Sequence, residues 1–240
     1  MPTPDTRQRL EAVRERMAAA CARAGRAEDA VRLVAVSKRI DTDLVLAACR
    51  AGQWELGENR LPDALDRRAE LEARLRAEGL DPARLRWHFI GHLQSRKART
   101  AAGNFHLLHG VDSLKLARKL SELAVAAGRR EPILLEVNAG REAQKDGLPM
   151  TGALDTALEA AALPGLDLRG MMTMAPFGAE SRVLRGVFAS LRDLNEEARR
   201  QTGLPLPELS MGMSGDFEEA ILEGATLVRV GSAIFGPRGR

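Results

Sequence analysis

The sequence predicts a closed (β/α)8 barrel, and three observations predict it. Short β-branched apolar runs alternate strictly with longer Ala-, Leu- and Arg-rich stretches of helical periodicity. Eight such runs recur within about 200 residues, and strict alternation demands parallel pairing through helical crossovers. No Gly-x-Gly-x-x-Gly turn follows the first run, which counts against an open doubly wound sheet.

The chain opens with an amphipathic helix over about residues 5–25. Leu10, Val13, Met17 and Ala20 recur at helical spacing, and Asp5 and Gln8 stand as a capping pair. The first strand, 31–37, ends at Ser37-Lys38. A helix over 42–51 leads to a strand at 53–57 that closes on Gly57-Glu-Asn59. The helical pattern 60–78 precedes strand 86–90, whose end is bracketed by His88 and His92. Helix 95–102, strand 106–111, helix 113–128 and strand 132–138 follow, the last closing on Asn138. Helix 150–162 leads to strand 166–173, which closes on Met171-Met-Thr-Met-Ala-Pro176. Helix 180–202 leads to strand 207–210 and Ser210-Met-Gly-Met-Ser214. Helix 214–223 leads to strand 226–230 and Arg229-Val-Gly-Ser232, after which Ala233-Ile-Phe-Gly236 suits one helical turn. No linker rich in Pro, Gly or Ser interrupts this order. One domain, 1–240, is expected, with the barrel over about 31–236.

Bulk composition bounds the function. Hydrophobic content of 45% and charged content of 29% describe a globular chain. Net charge is only +3, basic residues are dispersed, aromatics are 3%, and no nucleic-acid-binding motif appears. Nucleic acid is therefore not an expected partner. No apolar signal core or long apolar run occurs, so no membrane association and a cytoplasmic location are expected. Cys21 and Cys49 lack ligand spacing and read as buried small residues in a reducing compartment.

Lysine is scarce: five stand against 31 arginines. A chain that prefers arginine for surface charge makes Lys38, at the end of the first strand, a candidate for amine chemistry. Schiff-base formation with an aldehyde needs an amine that can deprotonate, which a guanidinium cannot supply. In a parallel barrel the site lies at the C-terminal strand ends, and the last two βα loops commonly bind phosphate. The glycine turns at Gly212 and Gly231 are the phosphate candidates, with Ser232 opening a helical turn. Ser214 stands where it would either cap its own helix or face a ligand. If Val228 and Val230 face the helices, Arg229 points into the barrel mouth, where it needs an acceptor. That acceptor is a structural carboxylate such as Glu136 or a cofactor ring nitrogen.

An aldehyde for Lys38, a phosphate for two glycine turns and a ring nitrogen for Arg229 together describe pyridoxal 5′-phosphate (PLP). His88 and His92, and His106 and His109, fall on strands and loops where their spacing does not converge two imidazoles, so no metal site is expected. The Met171, Met172 and Met174 cluster reads as barrel packing.

The chain resembles the family of pyridoxal-phosphate-binding homeostasis proteins, similar in fold to the barrel domain of bacterial alanine racemase. The carriers are Val34-Ala-Val-Ser-Lys38, Gly57-Glu-Asn59, Trp87-His-Phe-Ile-Gly-His-Leu-Gln94, Leu209-Ser-Met-Gly-Met-Ser214 and Val228-Arg-Val-Gly-Ser-Ala-Ile-Phe-Gly236. The resemblance implies Lys38 as the Schiff-base lysine and Arg229 beside the pyridine nitrogen. It implies Ser210, Ser214, Gly231 and Ser232 around the phosphate, with Asn59, Met211, Gly212 and Met213 in the binding set. Three places depart from the family pattern: Asp41 where proline is frequent, Arg60 where an aromatic is common, and a looser loop at 138–147 whose Lys145 still aligns with a family lysine.

The chain contains no tyrosine. Barrel racemases pair the lysine with a tyrosine as second acid/base, so that mechanism needs a histidine or cysteine substitute here. They also carry a second, β-rich domain for which 240 residues leave no room. The expectation is a monomeric carrier that holds PLP and releases it to apo-enzymes, with a PLP-dependent racemase or lyase and a cofactor-free Schiff-base aldolase as rivals.

Overall fold

Each β-branched run becomes a strand in the computed structural model, which describes residues 5–236 apart from 143 and 145. The strands are β1 (Arg32–Val36), β2 (Glu55–Glu58), β3 (Arg86–Phe89), β4 (Leu107–Val111), β5 (Glu131–Asn138), β6 (Leu148–Pro149), β7 (Leu166–Met172), β8 (Glu208–Ser210) and β9 (Leu227–Val230). Eight of them run parallel in the order β1-β2-β3-β4-β5-β7-β8-β9. The ring closes because β9 pairs with β1 and β4 pairs with β5. The two-residue β6 adds to β5 beside Val137 and Asn138. This is a (β/α)8 barrel with one short extra strand in the loop after β5.

The helices are α1 (Thr6–Arg23), α2 (Thr42–Arg50), α3 (Leu61–Ala77), α4 (Ala98–Ala101), α5 (Leu114–Ala126), α6 (Met150–Ala161), α7 (Ser181–Thr202), α8 (Phe217–Leu222) and α9 (Ser232–Phe235). Asp5 caps α1 as the sequence suggests, its carboxylate accepting the Gln8 N–H at 2.8 Å. Leu10, Val13 and Ala20 bury the apolar face of α1, which rests on α2, α8 and α9. Full burial of one leucine such as Leu10 is worth about 2 kcal/mol. None of the described helices is long and apolar enough to cross a membrane.

Two helix boundaries differ from the sequence reading. The 95–102 segment is a 3₁₀ turn, Ser95–Lys97, followed by the single turn α4. The helix expected from 214 starts at Phe217, because the Asp216 carboxylate turns back to accept the Met213 N–H at 2.5 Å and closes a loop first.

Strand alternation divides the buried side chains into two layers. Leu33, Ala35, Val228 and Val230 pack outward against the helices. Inside the barrel Val34, Leu107, Leu134, Met172 and Leu227 form a small apolar plug. The other described lumen positions include Glu55, His88, His109, Glu136, Ser210 and Arg229, so much of the interior is polar. Every one of those groups needs a partner, and the site is built from that requirement.

Candidate cofactor site at the barrel rim

The chain leaves β1 through a tight turn. The Ile40 N–H donates to the Ser37 carbonyl at 3.1 Å, and Arg39 has φ of 57°, in the left-handed region. The turn sets Lys38, half-buried, at the C-terminal rim. Below it the Ser37 hydroxyl donates to Glu58 Oε1 at 2.7 Å, and Arg67 Nε lies 3.2 Å from the same oxygen. Burial raises the Glu58 pKa, with the Ser37 hydroxyl and Arg67 opposing that rise. In the Gly57-Glu-Asn59 motif, then, the glutamate braces the lysine turn. Asp41 heads α2, its carboxylate accepting the Asp43 N–H at 2.8 Å.

Lys38 lines a cavity of about 450 Å³, and Arg229, Met213, Ser214, Gly231 and Ser232 line the same cavity. Ser214 does not cap α8. Its hydroxyl accepts the Gly231 N–H at 3.3 Å, with the Ala233 N–H further off at 3.5 Å. The backbone amides that open α9 therefore converge on one hydroxyl oxygen. Val36 and Ile90 supply the apolar wall beside Lys38.

Other members of the expected set lie elsewhere. Met211 is buried among the outer apolar residues, and its N–H donates to the Leu227 carbonyl at 3.1 Å. Gly212 has φ of 94°, and a Cβ there would stand 2.7 Å from Ala220 Cβ and 2.9 Å from Phe217 Cα. Its carbonyl accepts the Arg229 N–H at 2.9 Å. Met211 and Gly212 thus shape the turn without lining the cavity. Asn59 lines an adjoining cleft with Phe89, His92 and Gln94. Ser210 is fully buried beneath Arg229. Lys145 lies outside the described residues.

Arg229 points into the lumen, as the alternation requires. Its Nη1 donates to Ser210 Oγ at 2.6 Å and its Nη2 to the Thr173 carbonyl at 2.9 Å. Burial lowers its pKa to about 10, against the pull of Glu136 and Asp216, so it is cationic at neutral pH. No ion pair joins it to Glu136 among the described residues. Glu136 is pushed up to about 7, first by burial and then by the Asp112 carboxylate, with Arg229 opposing. Its Oε2 is buried without a hydrogen-bond partner.

The histidines divide. His88 and His109 are fully buried in the lumen, 2.9 Å apart through Nδ1 and Nε2. His92 sits on the rim with Asp112 at 2.8 Å and Asp146 at 3.8 Å. The ligand atoms of these three lie within 4.8 Å of one another, a grouping that residue spacing along the chain does not reveal. Both cysteines are buried and free, and Cys49 is pushed up to about 12 by burial.

A parallel barrel with a lysine after its first strand and an amide-lined turn after its last defines a class. The family model for the alanine racemase N-terminal domain matches residues 8–239. A pyridoxal phosphate homeostasis protein of Pseudomonas aeruginosa is 40% identical over 231 residues, covering 96% of this chain and 95% of the relative. PipY of Synechococcus elongatus PCC7942, solved with PLP bound, has a TM-score of 0.78 and 35% identity. That match covers 93% of this chain and 100% of PipY. An alanine racemase of Clostridium difficile 630 shares the fold at TM-score 0.73 and 16% identity, covering 97% of this chain and 56% of the racemase. The chain belongs to the family of pyridoxal phosphate homeostasis proteins, built on the alanine racemase N-terminal barrel.

Proposed function

We propose that this protein binds PLP as a Schiff base on Lys38 and acts in PLP homeostasis, holding and delivering the cofactor to apo-enzymes instead of catalysing amino-acid chemistry. One observation carries the reading: Lys38 lines a single cavity with Ser214, Gly231 and Ser232, and the Ser214 hydroxyl there accepts the Gly231 N–H. When bound, PLP supplies an aldehyde that condenses reversibly with an amine.

The residues present fit that group. An amine stands on one wall, and backbone N–H groups with the Ser214 and Ser232 hydroxyls suit a phosphate on another. At about 450 Å³ the cavity lies within the usual range for small-molecule sites. Arg229 holds its own proton at neutral pH, so toward a ring nitrogen it would act as a donor and would leave that nitrogen unprotonated. A neutral pyridine is a weak electron sink, which suits storage better than carbanion chemistry.

The carrier reading also rests on what surrounds Lys38. The chain has no tyrosine. Neither a histidine nor a cysteine is among the described residues that line the Lys38 cavity. Asp216 does line it, but its carboxylate is engaged by the Met213 N–H. Asp216 is thus the one acidic side chain on the described wall, and no tyrosine, histidine or cysteine stands there as a second acid/base for Lys38.

The test is borohydride reduction of the PLP-loaded protein followed by peptide mass spectrometry. The pyridoxyl mass is expected on Lys38; its appearance on another residue would displace Lys38 from the site. Incubation with amino acids in deuterated water separates carrier from racemase or lyase, since α-proton exchange at catalytic rates would establish the latter.

A further inference from the structure

Arg229 is connected to the opposite mouth of the barrel by a file of side chains. Its Nη1 donates to Ser210 Oγ at 2.6 Å, and Ser210 Oγ lies 2.8 Å from His109 Nδ1. His109 Nε2 is 2.9 Å from His88 Nδ1. His88 Nε2 is 3.2 Å from Glu55 Oε2, a contact without good hydrogen-bond alignment and hence the weakest link. Glu55 belongs to a second cavity, of about 400 Å³, at the N-terminal mouth, where Arg14, Arg32 and Arg86 also line the wall.

The two ends set the polarity of the file. An arginine only donates and an ionised carboxylate only accepts. Burial alone would raise the Glu55 carboxyl, but His88, Arg32 and His106 together hold it below its ordinary value. Ser210 Oγ accepts a hydrogen bond from Arg229 and donates its own O–H to His109 Nδ1. His109 then carries its proton on Nε2 and donates that N–H to His88 Nδ1. His88 in turn carries its proton on Nε2, facing Glu55. Burial drives the His109 pKa well down, which keeps that ring neutral. The apolar plug of Val34, Leu107, Leu134, Met172 and Leu227 shares this lumen, and in such a low-dielectric setting aligned hydrogen bonds reinforce one another.

We propose that Glu55, His88, His109 and Ser210 are positioning residues for Arg229: a one-way file, hydrogen-bonded from Arg229 to His88 and ended by the Glu55 carboxylate, that fixes the guanidinium beneath the Lys38 cavity, so that cofactor affinity depends on side chains that touch no ligand. The affinity part rests on the PLP reading above; the direction of the file does not.

The first arm of the test uses ligand-free 15N-labelled protein and long-range 1H–15N correlation of the imidazoles at pH 7. Both His88 and His109 are expected to carry a proton on Nε2 and none on Nδ1. A proton on Nδ1 of either ring overturns the proposal. The second arm titrates PLP into His109→Leu and His109→Gln by visible absorption. Leucine breaks the file, and PLP affinity is expected to fall about tenfold, with a shifted absorption band, while borohydride still labels Lys38. Glutamine keeps one acceptor and one donor and is expected to restore affinity and band. A folded His109→Leu protein with the native affinity and band overturns the positioning role. Should His109→Leu not fold, Ser210→Ala enters the same titration under the same criterion. Native protein that develops no band with PLP refutes the cofactor reading instead, and the tautomer arm still decides the file.

Discussion

Ser214 and Gly231 lie in loops that follow different strands, yet the Ser214 hydroxyl accepts the Gly231 N–H at 3.3 Å. The serine thus serves the last helix of the chain and not its own. Ser214→Ala removes this acceptor and is expected to change ligand-free stability by at most about 1 kcal/mol. PLP affinity should fall about tenfold, with a smaller change for pyridoxal, which lacks the phosphate. Equilibrium titrations with both ligands check this; equal losses would take Ser214 out of phosphate binding.

Gly212 holds its turn by close approach. With φ of 94° and Ala220 Cβ 2.7 Å from where a Cβ would stand, Gly212→Ala forces the β8–α8 loop away from α8. A loss of about 3 kcal/mol is expected from strain and overpacking together. Urea denaturation measures it, and an unchanged midpoint would show that the loop relaxes freely.

Glu58 braces the Lys38 turn from behind. Glu58→Ala leaves Ser37 only the more distant Gly57 carbonyl, at 3.4 Å, as acceptor and strands Arg67, whose side chain is 15% exposed. The expected cost is about 3 kcal/mol, as for other broken buried pairs. Slower recovery of the PLP absorption band after dilution and reloading would show that the turn has loosened; an unperturbed melt would show the brace to be dispensable.

Glu136 makes stability depend on pH. Its folded pKa, about 7, lies above the unfolded value of 4.5. The protonated form is favoured on folding, so this group's contribution is complete below about 4.5. It is lost as pH rises towards 7, amounting to about 3 kcal/mol at most. Glu136→Gln should remove that part of the pH dependence and gain stability over the native chain at pH 8. Denaturant unfolding of both proteins at pH 5 and pH 8 compares them, and parallel profiles would contradict the assignment.

The barrel is legible in the sequence because its strands are buried on both faces and read as apolar runs. The pair Leu148–Pro149 is too short to register as a strand. The start of α8 moved because a side chain, Asp216, closed the preceding loop, a choice that periodicity does not encode. That Lys38, Arg229, Met213, Ser214, Gly231 and Ser232 meet at one cavity was legible from their places at strand ends. The placements of Asn59, Met211, Gly212 and Ser210 were not, since strand-end position does not tell a cavity wall from the turn behind it. The file through the lumen joins residues as far apart as His109 and Ser210, and only the closed barrel brings them together.

Visible absorption during PLP titration of the native protein and of Lys38→Ala is the most direct measurement. A new band should grow to one equivalent in the native chain and be absent from Lys38→Ala at the same concentrations. The same band in the variant, or none in either protein, would mean that the amine at the end of β1 is not where the cofactor is held.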